Sequence, residues 1–324
     1  KARKPINFAG NIKKYAIISG CLLLLCIGGL VMNMVKMEQP LNYSLEFLGG
    51  SSTSITFTDY KGEGFDASGN ASADFKNEVT DVVKSAAGVS EAELSDVSGE
   101  KTLIVRTTAF TEDQQKKVIA AVEEKYGVND KSIEVETISA SVSNEMRMDA
   151  IVAVLIAAVG MLIYIWIRFK NLAFGASSVI ALLHDVMVVL MVYAIGSASI
   201  TVGSTFIACM LTIVGYSINA TIVVFDRVRE NRKKLGNTDL AEIVNTSITE
   251  TLSRSFNTSI TTLVMVLCLA VLGVDSIRQF AVPMMAGIIS GCYSSVCLAG
   301  TIWYFMNRSA QKKAKAKKAG NKKK

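Results

Sequence analysis

The sequence predicts a polytopic α-helical membrane protein with six spanning helices, and one small α+β domain inserted after the first of them. Two observations carry the membrane part. Half of the 324 residues are hydrophobic and only 19% are charged, with a mean hydropathy of +0.37, too little charge for a water-soluble chain of this size. The apolar residues are also gathered into runs near the roughly 20 residues that a bilayer-spanning helix requires. The third observation is the segment 36–145, which is polar and alternates strand and helix signals.

The runs are Tyr15–Val35, Met148–Ile167, Leu172–Ile195, Ile200–Phe225, Ser259–Val274 and Phe280–Phe305. The first is too long for a secretory apolar region and is followed by "MNMVKMEQP", with no small-residue cleavage site; it reads as a retained anchor. The fifth is short and draws on the polar "SRSFNTS" before it. Lysine and arginine collect at Lys1, Arg3, Lys4, Lys13 and Lys14, at Arg168 and Lys170, at Arg227, Arg229, Arg232, Lys233 and Lys234, and in the tail "RSAQKKAKAKKAGNKKK". Threading six spans places all of these on one side, which the positive-inside rule makes cytoplasmic. The expected layout is a cytoplasmic amino end (1–14), a first span (15–35), an extracytoplasmic domain (36–145), a five-helix bundle (146–305) with a cytoplasmic loop at 226–258, and a cytoplasmic polybasic tail (306–324). Trp166 and Trp303 fall at cytoplasmic helix ends, where interfacial anchors belong. The net charge of +6 is chiefly this topology signal; the tail can also attract anionic lipid, with ribosomal RNA as the other basic-tail reading.

Within the polar segment, "STSITFT" alternates as a strand. "SADFKNEVTDVVKSAA" has Phe75, Val79, Val82 and Val83 at helical spacing behind a Ser72 cap. "AELSDVSG" and "KTLIVRTT" read as two strands joined at a Ser-Gly turn, "TEDQQKKVIAAVEEKYG" as a Thr-capped helix ending in glycine, and "KSIEVETISASV" as a last strand. The order β-α-β-β-α-β is that of a ferredoxin-like domain. It contains no histidine, phosphate loop or clustered acid pair, so no enzyme chemistry is expected; Glu91, Glu93, Glu123 and Glu124 read as solvated surface. All six cysteines lie in the predicted spans, so no disulfide and no metal or cofactor site is expected.

Ionisable residues at mid-span cost about 2.5–3.5 kcal/mol on insertion scales and mark functional candidates. His184 is the single histidine of the chain, with Asp185 beside it in "VIALLHDVMVV". Adjacent helix positions diverge by about 100°, so the two are expected to face the bundle interior with different partners. Asp185 can take a proton or pair with a cation, and histidine changes charge near neutral pH; the bland reading of each is an inter-helix hydrogen bond. In the fourth run Thr212, Tyr216 and Asn219 share one face, with Gly203 and Gly215 permitting close approach of a neighbour. In the sixth, Gly287 and Gly291 form a small-xxx-small face before Ser294 and Ser295, with ordinary close packing as its bland reading. Arg254 precedes the fifth run and is expected to snorkel or pair near the cytoplasmic boundary, with Asp226 as a candidate acid for it.

Four stretches in this order, "ALLHDV", "GYSINATIVVFDRVREN", "TLSRSFNTSITT" and "GIISGCYSS", together with "LEFLGGSS" containing Gly49 and Gly50, resemble the SecF family. Its members are the six-span partners of SecD in the bacterial Sec export accessory complex. The resemblance covers nearly the whole chain. It implies a fold related to the resistance-nodulation-division transporters. It implies pairing with SecD into a twelve-helix unit, and outward pulling of exported preproteins by the proton-motive force at the SecYEG translocon, with SecA, YajC and YidC as further possible partners. It also implies a bacterial inner-membrane location. Membrane lipid is expected around the spans and nucleic acid is not.

The chain departs from the family pattern where the residue after Asn219 is ordinarily aspartate, a candidate for the proton relay beside the arginine matching Arg254. Here it is Ala220, with Glu46 for Asp, Ser255 for Thr and Cys292 for Thr at three other motif positions. The family's polar network therefore carries over to His184, Asp185, Asn219 and Arg254, and its motif and packing positions to Gly49, Gly50, Gly215, Tyr216, Asp226, Arg227, Gly287 and Gly291. Three readings stay open. Proton coupling survives through Asp185 and acids on the partner; or the subunit is a non-coupled assembly partner; or the chain is a small exporter of lipid or drug.

Overall fold

The computed structural model describes residues 4–308, except 59, 61, 63, 67, 68, 98, 99, 170, 171, 237 and 274. Lys170, the Ser98–Gly99 turn, the tail from 309 and the Trp166 side chain lie outside the described parts. In chain order the main elements are α1 (Ile12–Met37), α2 (Leu45–Leu48), β1 (Gly50–Thr56), α3 (Ala73–Ala87), β2 (Ala92–Val97), β3 (Thr102–Thr107), α4 (Glu112–Tyr126), β4 (Ile133–Ile138), α5 (Ala140–Phe169), α6 (Leu172–Ile195), α7 (Ser204–Leu235), α8 (Leu240–Leu272) and α9 (Asp275–Tyr293). A π-helical segment, Ser294–Ala299, continues α9, and the chain stays helical to Arg308. The chain divides into two units, 43–150 and the remainder.

The first unit is the α+β domain. Its sheet is antiparallel with order β2-β3-β1-β4, the ferredoxin-like arrangement that the alternating signals predict. Inward positions of β1 and β3, Ile55, Leu103 and Val105, meet Phe75, Val79 and Val83 of α3 and Val118 and Val122 of α4, all buried. Phe57, Phe75 and Tyr126 pack ring edge to ring face at 5.2–5.7 Å. Ser72 Oγ accepts from the Phe75 N–H at the start of α3, and Thr111 and Gln114 form a reciprocal capping box on α4. Gly88 and Gly127 end these helices in the left-handed region.

The "GG" of 49–50 has a backbone explanation. Gly49 caps α2, its N–H donating to Leu45 O at 2.8 Å. Gly50 enters β1 at φ 123°, where an added Cβ would stand 2.4 Å from Thr107 O. One expected strand is shorter than its sequence pattern: β4 stops at Ile138 and "ASV" already belongs to α5. Ser, Ala and Val tolerate either state, and Ser139 caps the turn by accepting from the Val142 N–H.

Among the described residues, six helices are long and apolar enough to cross a membrane: Ala9–Met37, Ser141–Ile165, Leu172–Ile195, Ser204–Leu235, Leu240–Leu272 and Ile277–Arg308; the second begins in the first unit and the others lie in the second unit. They outrun their apolar stretches because charged residues continue the helix outside hydrocarbon. The expected loop at 226–258 is accordingly corrected: α7 runs on to Leu235 and α8 begins at Leu240. Arg227 donates to both Glu230 and Glu250, Lys234 reaches Glu230, and Asn231 spans to Ser247 and Glu250. These pairs satisfy the polar ends of the α7–α8 hairpin.

Trp303 is likewise not a lipid-facing anchor. It is fully buried, stacked on Phe174 at 4.6 Å with Arg232 over its ring. Its ring fills the gap between α6 and α7, where Phe174 also meets Phe225. The six cysteines are free.

Candidate functional site

A polar cluster sits where α6, α7 and α9 meet. Asp185 is completely buried, and its carboxylate accepts from donors on every side. Ser217 Oγ of α7 reaches Oδ2 at 2.5 Å, Ser294 Oγ reaches Oδ2 at 2.6 Å, and Ser290 Oγ reaches Oδ1 at 2.6 Å. His184 Nδ1 stands 3.2 Å from the same Oδ1. An ionised carboxylate has about four acceptor positions; the three serine hydroxyls fill three of them, and His184 Nδ1 fills the fourth in the tautomer that carries its proton there. Each hydrogen bond to a charged group is worth about 1.5–3 kcal/mol, so together they offset the cost of withdrawing the charge from water. A protonated carboxyl, by contrast, must donate, either to a His184 Nδ1 that carries no proton or to a serine hydroxyl that turns away.

The sequence places these groups by close helix packing. Gly287 is so near α6 and α7 that an added Cβ would meet Ile213 Cδ1 at 2.5 Å and Val189 Cγ2 at 2.9 Å. At Gly291 it would touch Tyr216 and the Ser217 backbone at 3.4–3.6 Å. Ser290, between them, and Ser294, one turn on, thereby come within reach of Asp185. The π-helical segment starts at Ser294; such bulges recur at functional sites.

His184 and Asp185 do not take separate partners as the 100° rule suggests. Both approach Ser290 Oγ, at 3.4 and 2.6 Å, because α9 lies in the angle between their side chains. His184 is buried, and its Nε2 has no hydrogen-bond partner among the described residues. The ring lies 5.8 Å from that of Tyr293 and borders an apolar cavity of about 400 Å³ shared with Ala16 and Leu23 of α1 and Leu183 and Met187 of α6.

The second group of predicted residues lies on the α7–α8 face, apart from this cluster. Tyr216 Oη donates to Ser259 Oγ at 2.7 Å, while Thr212 turns back to its own helix at Ala208 O. Asn219 is exposed. A Cβ added at Gly215 would meet nothing within 4 Å among the described residues, so no close helix approach is seen there, and Gly203 precedes α7 as its N-cap. Arg254 is exposed and has no carboxylate partner among the described residues. Asp226 does not supply one: it binds Arg168 of α5 at 2.5 Å.

Sequence reasoning missed Ser217, Ser259 and Ser290. Single hydroxyls in helices are unremarkable; the available signal was the i, i+4 spacing of Ser290 and Ser294 beside the glycine face.

The family model described as "Protein export membrane protein SecD/SecF, C-terminal" matches residues 117–309. The protein translocase subunit SecF of Desulfurispirillum indicum is 34% identical over 305 residues, covering 90% of this chain and 89% of that one. The SecF of Cereibacter sphaeroides is 41% identical over 217 residues, covering 66% and 65%. The protein translocase subunit SecDF of Bacillus subtilis is 39% identical over 214 residues, which are 64% of this chain but 28% of that protein. Among solved structures, SecDF from Thermus thermophilus, described as a translocon-associated membrane protein, superposes with a TM-score of 0.78 at 29% identity. That match covers 95% of this chain and 39% of the SecDF chain.

Proposed function

The chain belongs to the SecD/SecF family of protein-export membrane proteins, on its SecF side, and from that premise we propose that it pairs with a SecD-type chain and uses the proton-motive force to promote export through SecYEG. It is a multi-pass membrane protein of the protein-translocase type. In the proposed arrangement it spans a bacterial inner membrane with both ends cytoplasmic, the α+β domain lies outside, and SecA, YajC and YidC are further partners.

One observation carries the coupling role: the Asp185 carboxylate, held by hydroxyls from two other helices. Proton arrival converts one acceptor position into a donor. With His184 Nδ1 carrying its proton, Ser217, Ser290 or Ser294 must then release its bond, and the packing of α6, α7 and α9 has two hydrogen-bonded states. A gradient that sets the protonation of Asp185 biases that choice. In this reading His184 passes or holds the proton; one ring nitrogen lies at Asp185 and the other has no partner among the described residues. Asn219, Tyr216 and Gly215 lie on the exposed α7–α8 face proposed to meet the SecD-type partner.

Arg254, without a carboxylate partner among the described residues, favours a second reading, a subunit that assembles or stabilises the translocon without proton coupling. Pairing is tested by gentle solubilisation: a SecD-type chain co-purifies on the first reading and on the second. A stable, export-active monomer or homodimer under the same conditions contradicts both.

A further inference from the structure

Between α7 and α8 lies a pocket of about 150 Å³ framed by Tyr216, Asn219, Ala220, Val223, Arg254, Ser255 and Thr258. We propose that it is a binding site for one carboxylate-type anion, held by the Arg254 guanidinium.

Position comes first. The pocket lies between two cross-links of the helix pair, the Arg227–Glu250 ion pair on one side and the Tyr216–Ser259 hydrogen bond on the other. Arg254 is four residues beyond Glu250 on α8, about 6 Å along the helix. Glu250 is already taken by Arg227 and Asn231, and Asp226 by Arg168. The guanidinium thus faces a membrane-embedded surface without a counter-charge among the described residues.

The lining is polar where an anion needs donors. Ser255 is buried, 6% exposed, and its Oγ has no hydrogen-bond partner among the described residues, so it is free to donate to a group in the pocket. Thr258 Oγ1 is occupied by the Arg254 carbonyl, and Tyr216 Oη by Ser259, which leaves Ser255 and the exposed Asn219 amide as donors beside the guanidinium. Guanidinium presents a fork that matches two carboxylate oxygens. Ala220 is the single framing residue whose side chain ends at Cβ, and it leaves the space. The volume equals that of an engineered cavity that admits benzene, about 150 Å³, so a carboxylate group fits and a large polyol acid does not. The carboxylate is either a free small anion or a side chain of the partner subunit. Only the second source rests on the pairing proposed above; the anion site itself does not.

The test is thermal unfolding of the full chain in lipid nanodiscs, alone and with its co-purified partner. Sodium formate is titrated against formamide, its neutral isostere, and against sodium gluconate at matched ionic strength. For the chain alone, formate gives a saturable rise in Tm of roughly 2–4 °C, while formamide and gluconate give none. Arg254→Gln abolishes the response and Arg254→Lys retains part of it. Ala220→Asp raises Tm without formate and removes the response, since the new carboxylate fills the pocket. With the partner present, a retained formate response assigns the site to a free anion, and a lost response to a partner side chain. No formate-specific shift in the wild-type chain alone, or a shift that persists in Arg254→Gln, overturns the proposal whatever the outcome for export.

Discussion

Asp226 of α7 is bonded to Arg168 of α5, Nη2 to Oδ2 at 2.5 Å, with both side chains about two-fifths exposed. This pair ties the end of the second span to the fourth and removes Asp226 from any role at Arg254. Exposed ion pairs contribute about 0.2–1 kcal/mol. Asp226→Asn is therefore expected to cost no more than about 1 kcal/mol in unfolding of the solubilised protein, with a coupling of similar size to Arg168→Gln in a double-mutant cycle. A loss of gradient-dependent export in Asp226→Asn would assign it a role beyond this contact.

The hydroxyls around Asp185 are expected to matter more than surface charges do. Ser217→Ala or Ser290→Ala removes a donor from a buried carboxylate and should destabilise the bundle by about 1.5–3 kcal/mol each. Their sum in the double variant should differ from additivity, because both bind one group. Serine variants at the exposed 253 position of α8 supply the reference, expected within about 0.5 kcal/mol of wild type. Equal, small effects at all of these positions would leave the cluster as ordinary packing.

The α+β unit is expected to fold alone. A polypeptide of residues 45–143 should unfold cooperatively, and identically with and without reductant, since it has no cysteine. Burial, with the nearby Glu78 carboxylate, pushes the Tyr126 phenol above its ordinary value near 10. The folded state therefore favours the neutral ring. Its stabilisation is complete below about pH 10 and declines as pH rises above that, where the unfolded chain releases the proton first. Tyr126→Phe should flatten that alkaline decline in denaturant titrations; an unchanged slope would refute the assignment.

Much of this fold is legible because local rules agree with the tertiary structure. Phe75, Val79 and Val83 fall on one face of α3 and are buried there, and Ser72 and Thr111 cap the helices their positions announce. The helix ends are less legible, since α7 and α8 continue through charged residues whose pairing across the hairpin, Arg227 with Glu250, appears only once the two helices are packed. His184 and Asp185 stand out as charges in an apolar run, but what surrounds them depends on the approach of α9 at Gly287, which spacing alone does not give. Trp303 shows the same limit: a helix-end tryptophan reads as an interfacial ring until Phe174 is found stacked upon it.

The measurement that bears most directly on the account is gradient-dependent export by vesicles holding this chain with its native partner. Wild type, Asp185→Asn and Ala220→Asp are compared with and without a proton gradient. Asparagine keeps the shape at 185 but cannot exchange a proton, so Asp185→Asn should export at the wild-type rate measured without a gradient, whether or not one is applied. Ala220→Asp should remain close to wild type. If Asp185→Asn exports as fast as wild type and the gradient still accelerates it, the proton does not pass through Asp185 and the proposed mechanism is wrong.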